Sequence, residues 1–190
     1  EYMESYNPEY VLILSGDHIY KMDYEVMLDY HKANNADVTI AAMPVPIEEA
    51  SRFGVVVTDD NHKITEFQEK PEHPKSNYCV TGLYFYDNRV VEYAKNLKPS
   101  ARGELEITDL NRIYLENGEL DVTLLGQGFT WLDTGTHDSL SEASTFVEVI
   151  EKRQGLKIAC PEEIAYKKGW IDARKLRDLA VPMAKNQYGQ

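Results

Sequence analysis

The sequence predicts an α/β domain whose sheet is mostly parallel. Short apolar runs alternate with amphipathic segments along the chain, the pattern of strands and helices connected as βαβ units. A chain of 190 residues is long enough to bury a core, and it corresponds to one domain or to one domain with a small appendage. A hairpin and one aromatic-rich strand are expected to add antiparallel pairing at one side of the sheet.

The strands are predicted from runs of apolar and β-branched residues. Tyr10–Leu14 is followed by Ser15-Gly16-Asp17 and has the unbroken apolar character of a buried parallel strand. Two runs on either side of residues 59–62 predict the hairpin. The predicted strands cover residues 10–14, 38–43, 54–58, 63–68, 78–86 and 120–125.

The helices are predicted from capping residues and from the period of the apolar positions. Asp23 is suited to cap the first helix and Asp87 the second, and Gly155 is expected to end the longest one. Four residues share the apolar stripe of the first helix: Val26, Met27, Tyr30 and His31. The predicted helices cover residues 23–34, 87–97, 108–118, 137–154, 161–168 and 172–179, the third beginning at Thr108 or Asp109.

The composition excludes several classes of partner. The formal net charge of -12 argues against binding to nucleic acid or to an anionic membrane surface, because both depend on Lys and Arg patches. No apolar run has the length of a membrane span, and no signal peptide is evident. Cys79 and Cys160 have no metal-site or disulfide spacing, so a cytoplasmic protein with reduced thiols is expected.

Two aspartates and a Glu-Lys-Pro segment carry the chemistry. Asp17 follows the first predicted strand, Asp133 follows Trp131-Leu132, and Glu69-Lys70-Pro71 lies between them in sequence. Mg²⁺ prefers one or two protein carboxylates, with water and phosphate as its other ligands, and a lysine can neutralise a phosphate. Simpler roles remain open: an Asx-turn at Asp17, a helix N-cap at Asp133, and a solvated charge pair at Glu69 and Lys70.

Five segments together resemble the sugar-1-phosphate nucleotidyltransferases. Two of them are similar to bacterial glucose-1-phosphate adenylyltransferases: residues 7–24 and 48–54. Three resemble glucose-1-phosphate thymidylyltransferases: residues 80–87, 98–109 and 131–137. The change between the two lies near residues 66–78, a stretch that both could share, so we expect either a natural intermediate or a composite with a seam there.

The resemblance implies a Rossmann-like nucleotidyltransferase sheet and a role for each matched residue. Mg²⁺ would be the cofactor, with Asp17 and Asp133 as its ligands, and these two residues with Lys70 would be catalytic. Glu69 would accept hydrogen bonds from sugar hydroxyls, and Lys70 would pair with the sugar phosphate. The other implied substrate-binding residues are Gly54 and Val80-Thr81-Gly82 along the pocket, Arg102 and Thr108 at phosphate or sugar oxygens, and Trp131 and Tyr84 beside the sugar ring. For Gly54 a backbone requirement, and for the two aromatic residues core packing, are the simpler explanations.

The implied reaction joins glucose 1-phosphate to a nucleoside triphosphate and releases pyrophosphate. Thymidylyl transfer from dTTP is the first expectation, because the longer matched part resembles that family, and adenylyl transfer from ATP is the alternative. Both families open with a glycine-rich phosphate loop that has no counterpart here. Residues 1–190 are therefore expected to be a partial catalytic domain that lacks its N-terminal part and forms a homo-oligomer. The alternative of another class is an inactive fragment that only binds sugar phosphate.

Overall fold

The computed structural model describes residues 2–59, 63–100 and 103–190, in two compact units. The first unit ends at Trp131, and the second extends from Leu132 to Gln190. The strands are β1 Tyr10–Leu14, β2 His18–Lys21, β3 Val38–Pro44, β4 Gly54–Thr58, β5 Ile64–Glu69, β6 Tyr78–Asp87, β7 Leu120–Leu124 and β8 Thr130–Asp133. The helices are α1 Tyr2–Tyr6, α2 Tyr24–Ala33, α3 Val90–Asn96, α4 Ile107–Glu116, α5 His137–Gln154, α6 Pro161–Lys167 and α7 Ala173–Ala180, with short 3₁₀ turns at Ala50–Arg52 and Val181–Met183.

The main sheet of the first unit is organised around β6. This strand pairs antiparallel with β3 along one edge, and with β4 and then β1 along the other. The strand order is β5-β4-β6-β3-β7, with β1 also beside β6. Among the pairings in the described part of this sheet, β3 with β7 is parallel and the rest are antiparallel.

The prediction of a mostly parallel sheet is therefore wrong. β1, β3, β4 and β7 run in one direction, but β6 lies between β1 and β3 and runs against both. The predicted hairpin of β4 and β5 is confirmed. β6 is antiparallel as predicted, but it lies at the centre of the sheet and not at one side. The alternation of strands and helices correctly predicts that β1, β3, β4 and β7 run in one direction. It does not predict that β6 lies between β1 and β3.

Burial on both faces explains the composition of β6. Tyr84 and Tyr86 pack into an apolar cluster on the same side as Tyr114 of α4. Leu83 and Phe85 belong to a second cluster on the other face. Since successive side chains of a strand point to opposite faces, a strand covered on both sides must be apolar at almost every position. The ten-residue run from Tyr78 to Asp87 meets that requirement.

The helix predictions hold where a capping residue was identified correctly. Asp23 caps α2 by accepting a hydrogen bond from the Glu25 N–H at 3.1 Å. Of the predicted stripe of α2, Met27 and His31 are buried, whereas Val26 and Tyr30 are exposed. Asp87 does not cap a helix: it ends β6 and accepts the Arg89 N–H at 3.1 Å, and α3 begins at Val90.

The second unit contains the three helices that the sequence predicted. Thr136 and Ser139 form a capping box at the start of α5. Gly155 ends α5 with a φ of +66°, a conformation that glycine adopts without strain. The bounds of α6 and α7 agree with the predicted ranges to within one residue. Across the described ranges, no helix combines the length and the apolar character needed to cross a bilayer, and the cytoplasmic location stays a prediction.

Candidate active site

The turn between β1 and β2 carries Asp17. Ser15 donates its backbone N–H to the Gly82 carbonyl at 2.9 Å, which holds the turn against β6. Gly82 has a φ of +72°, and a Cβ at this position would lie 2.1 Å from Ser15 Oγ. Only glycine therefore allows this approach. The exposed carboxylate of Asp17 is held in this way just after β1. In this strand Val11 is buried and Leu12 and Leu14 are exposed, so the prediction of a buried strand is wrong.

His18 begins β2 and is surrounded by polar groups of the same unit. β2 and β8 form a two-stranded sheet, and the Trp131 indole Nε1 lies 3.1 Å from His18 Nδ1. The two rings meet edge to face, with centroids 5.6 Å apart. His18 Nε2 lies 3.8 Å from an Asp17 carboxylate oxygen. His18 was not among the predicted site residues, although its place directly after Asp17, in a segment that resembles the adenylyltransferases, was a usable signal.

Glu69, Thr108 and Gly54, three of the predicted substrate-binding residues, lie together. Thr108, in the first turn of α4, donates its hydroxyl to Glu69 Oε2 at 2.7 Å. Gly54 is paired with Glu69 in the β4–β5 hairpin, and a Cβ there would lie 3.5 Å from the same carboxylate oxygen. A side chain at this position would therefore stand in van der Waals contact with the carboxylate. Thr108 is buried and Glu69 exposed, so the hydroxyl fixes a side chain that faces solvent.

Phe53 connects this group to the neighbourhood of Asp17. Its ring packs against Trp131 with centroids 4.9 Å apart, and its carbonyl accepts the Lys70 N–H at 3.2 Å. Lys70 has a φ of +41°, which is uncommon for a residue with a side chain and often marks a functional site. Lys70 thus lies at a sharp turn of the backbone directly after Glu69, and its side chain is exposed.

Three of the predicted substrate contacts lie in the interior of the first unit. Val80, Tyr84 and Trp131 are all buried. Burial raises the pKa of Tyr84, and the charge of Glu69 adds to the shift, so the phenol stays neutral. Core packing accounts for these side chains, and their contact with a sugar ring stays a prediction. Arg102 lies outside the described residues, and its role also stays a prediction.

Asp133 is the last residue of β8 and belongs to the second unit. One of its carboxylate oxygens accepts the Gly135 N–H at 3.0 Å, the geometry of an Asx-turn. The N-cap of the helix that follows is Thr136, so the alternative assignment of Asp133 as an N-cap is wrong.

Comparison with known proteins identifies one family across most of the chain. Residues 1–149 match the model of the family described as nucleotidyl transferase. The chain is 53% identical over 184 residues to a glucose-1-phosphate thymidylyltransferase of Neisseria meningitidis, covering 97% of this chain and 63% of that protein. It is 57% identical over 144 residues to a glucose-1-phosphate adenylyltransferase of Lachnospira eligens, covering 76% of this chain and 34% of that protein.

A solved structure shows the same fold. It is a Bacillus anthracis protein described as a glucose-1-phosphate thymidylyltransferase in complex with a sucrose, and it aligns with a TM-score of 0.66 at 38% identity. The alignment covers 76% of this chain and 57% of that chain. The chain thus spans less than two-thirds of the length of each of these three proteins. The composite origin with a seam near residues 66–78 stays a prediction.

Proposed function

Because the chain belongs to the nucleotidyl transferase family, we propose that it carries the sugar-phosphate part of an active site that transfers a nucleotidyl group to glucose 1-phosphate. The observation that carries this proposal is the hydrogen bond that Thr108 donates to Glu69. The Glu69 carboxylate lies beside Gly54, and the exposed Lys70 is the next residue in the sequence. This arrangement provides an oriented carboxylate for sugar hydroxyls and a cation for the phosphate next to it.

In this proposal Glu69 binds the sugar and Lys70 binds the phosphate of the substrate. Thr108 occupies Oε2 of Glu69, and the exposed carboxylate retains acceptor capacity for sugar hydroxyl groups. Gly54 supports this role, because a larger residue would place a side chain next to that oxygen. The Lys70 ammonium would pair with the phosphate of glucose 1-phosphate as a point charge.

Asp17 and Asp133 are the proposed ligands of Mg²⁺. Each can offer a carboxylate oxygen, and carboxylate oxygen is the donor that Mg²⁺ prefers. Asp17 is exposed, which suits an ion that keeps several waters and phosphate oxygens as ligands. When bound, the ion would neutralise charge on the phosphates during transfer.

The proposed reaction is a direct displacement at phosphorus. A phosphate oxygen of glucose 1-phosphate attacks the α-phosphorus of the nucleoside triphosphate, the bond to the β-phosphate oxygen breaks, and pyrophosphate leaves with that electron pair. Positioning and charge neutralisation are what the protein supplies. Thymidylyl transfer from dTTP is the first choice, supported by the relative that aligns with 97% of the chain, and adenylyl transfer from ATP is the second.

Self-association is the remaining part of the proposal. The main sheet pairs β1 with β6, and Leu12 and Leu14 of β1 are exposed apolar side chains. Exposed apolar side chains on a strand favour contact with another chain. The net charge of -12 continues to argue against nucleic acid as the partner.

Glucose 1-phosphate binding to this chain, measured by calorimetry, tests the proposal. Lys70→Ala should weaken binding by at least about 10-fold, because interactions with charged groups are worth about 1.5 kcal/mol or more. Lys75→Ala is the matched control, since Lys75 is an exposed lysine that pairs with Glu66 and has no proposed substrate contact. Failure of the parent chain to bind, or equal losses in both variants, would refute the assignment of Glu69 and Lys70. A pyrophosphate-release assay with dTTP and with ATP then tests transfer and the choice of base.

A further inference from the structure

Three polar groups meet at one nitrogen of His18. The Trp131 indole nitrogen and the Thr81 carbonyl oxygen each lie 3.1 Å from His18 Nδ1. The Tyr20 hydroxyl lies 3.4 Å from the same nitrogen and donates a hydrogen bond to the Thr81 carbonyl at 2.7 Å. These contacts decide which nitrogen of the imidazole carries the proton.

The indole N–H of Trp131 can only donate, so Nδ1 must offer a lone pair to accept it. A proton on Nδ1 would instead point at a second proton and leave a largely buried indole donor unsatisfied, which costs about 1 to 3 kcal/mol. The Thr81 carbonyl does not need the Nδ1 proton, because the Tyr20 hydroxyl already donates to it. Burial raises the pKa of Tyr20 to about 12, so this hydroxyl keeps its proton. The neutral imidazole therefore carries its proton on Nε2.

Nε2 is the nitrogen that faces Asp17. It lies 3.8 Å from the Asp17 carboxylate, with the His18 side chain 15% exposed and the Asp17 side chain 67% exposed. The imidazole is thus anchored on its Nδ1 side, whereas the carboxylate extends into solvent. Gly82 is part of the anchor, because a Cβ there would lie 3.1 Å from Nδ1.

We propose that His18 is a positioning residue: Trp131 fixes its tautomer, and its Nε2–H holds the Asp17 carboxylate in place for a divalent cation. This inference rests on the proposed function, which makes Asp17 a metal ligand. The present separation of 3.8 Å is longer than a hydrogen bond, so Asp17 would have to turn toward Nε2 to accept its proton. Groups that orient metal ligands in this way typically change metal affinity by about 10- to 100-fold when they are removed.

Two substitutions distinguish the roles of the two ring nitrogens of His18. Asn places its amide oxygen near the position of Nδ1, so His18→Asn keeps an acceptor for Trp131 and removes the donor toward Asp17. Gln places its amide nitrogen near the position of Nε2, so His18→Gln keeps the donor and removes the acceptor. Trp131→Phe removes the indole N–H and retains an aromatic ring.

The first measurement is the nitrogen NMR spectrum of the His18 ring without metal. We expect Nδ1 to be the unprotonated nitrogen in the parent chain, and Trp131→Phe to increase the population protonated at Nδ1. A parent ring protonated at Nδ1 would overturn the tautomer assignment and the proposal with it.

The second measurement is the affinity of the same chain for Mn²⁺, a paramagnetic probe, by electron paramagnetic resonance. His18→Asn should weaken Mn²⁺ binding by about 10-fold, and His18→Gln should recover part of the loss. Unchanged affinity in His18→Asn, with the parent binding Mn²⁺, would overturn the positioning role alone. Absence of Mn²⁺ binding in the parent would overturn the proposed metal site, and the positioning role would fail with it.

Discussion

Gly82→Ala should strongly destabilise the first unit, because two separate costs coincide there. The φ of +72° lies in the left-handed region, which costs a residue with a Cβ about 1 to 2 kcal/mol. The new Cβ would also lie 2.1 Å from Ser15 Oγ and 3.0 Å from Ser15 Cβ, so the turn that carries Asp17 must move. Overpacking of this kind costs about 1 to 3 kcal/mol more. The expected loss in the free energy of unfolding is roughly 2 to 5 kcal/mol.

Gly118→Ala is the matched control. Gly118 has nearly the same φ, +74°, but a Cβ there would meet no atom within 4 Å. It should therefore show the backbone cost alone, about 1 to 2 kcal/mol. The difference between the two variants measures the contacts with Ser15 and His18, and Ser15→Ala combined with Gly82→Ala should recover the part due to the Ser15 hydroxyl.

Urea unfolding followed by Trp131 fluorescence measures these losses. The second tryptophan, Trp170, is 74% exposed and lies in the second unit, so a Trp170→Phe background leaves a signal from the first unit alone. With a urea dependence of about 2 kcal/mol per M, Gly82→Ala should lower the midpoint by roughly 1 to 2.5 M. Equal midpoints for Gly82→Ala and Gly118→Ala would refute the packing argument.

Three further outcomes are expected. Thr108→Val, which removes the hydroxyl bound to Glu69, should weaken glucose 1-phosphate binding by about 10-fold in calorimetry, whereas Thr145→Val on the exposed face of α5 should not change it. Burial lowers the pKa of His31 in the folded protein, so the unfolded chain binds this proton more readily. Stability should therefore begin to fall as the pH drops through 6.5, the pKa of the unfolded state, and should keep falling until the lower pKa of the folded state is reached. Urea midpoints at several pH values would show this as a slope of at most about 1.4 kcal/mol per pH unit that His31→Gln removes, and an unchanged slope in that variant would exclude His31 as its source. Asp133→Asn should abolish Mn²⁺ binding in the resonance experiment, because Mg²⁺-type sites require anionic oxygen, and retained affinity would remove Asp133 from the metal site.

Local structure was predictable wherever a single residue type determines the backbone. Asp23 and Gly155 were correctly assigned to the ends of α2 and α5, because a capping carboxylate and a left-handed glycine act within a few residues. The hairpin of β4 and β5 was predictable because its two strands are neighbours in the sequence. Asp87 was wrongly assigned as a helix cap, because an aspartate carboxylate can also form an Asx-turn at the end of a strand.

Strand order and the surroundings of the site were not predictable, because they depend on contacts between distant residues. The direction of β6 relative to β1 and β3 is set by pairing across the whole first unit. His18 and Trp131 are separated by 113 positions, so no local pattern indicates that the indole contacts the imidazole. The family resemblance assigned Glu69 and Thr108 separately to the substrate, and it did not predict the hydrogen bond that connects them.

The central position of β6 imposes an order on folding. Tyr10 is paired with Asp87, and Val38 with Tyr86, so neither β1 nor β3 has its β6 partner until the chain has been synthesised beyond β6. The β4–β5 hairpin, by contrast, can form from neighbouring residues alone. Until β6 joins them, the apolar faces of β1 and β3 are open to wrong partners. Folding of the first unit should therefore be slow and limited by long-range pairing, and a chaperone that shields β1 and β3 during synthesis should raise its yield.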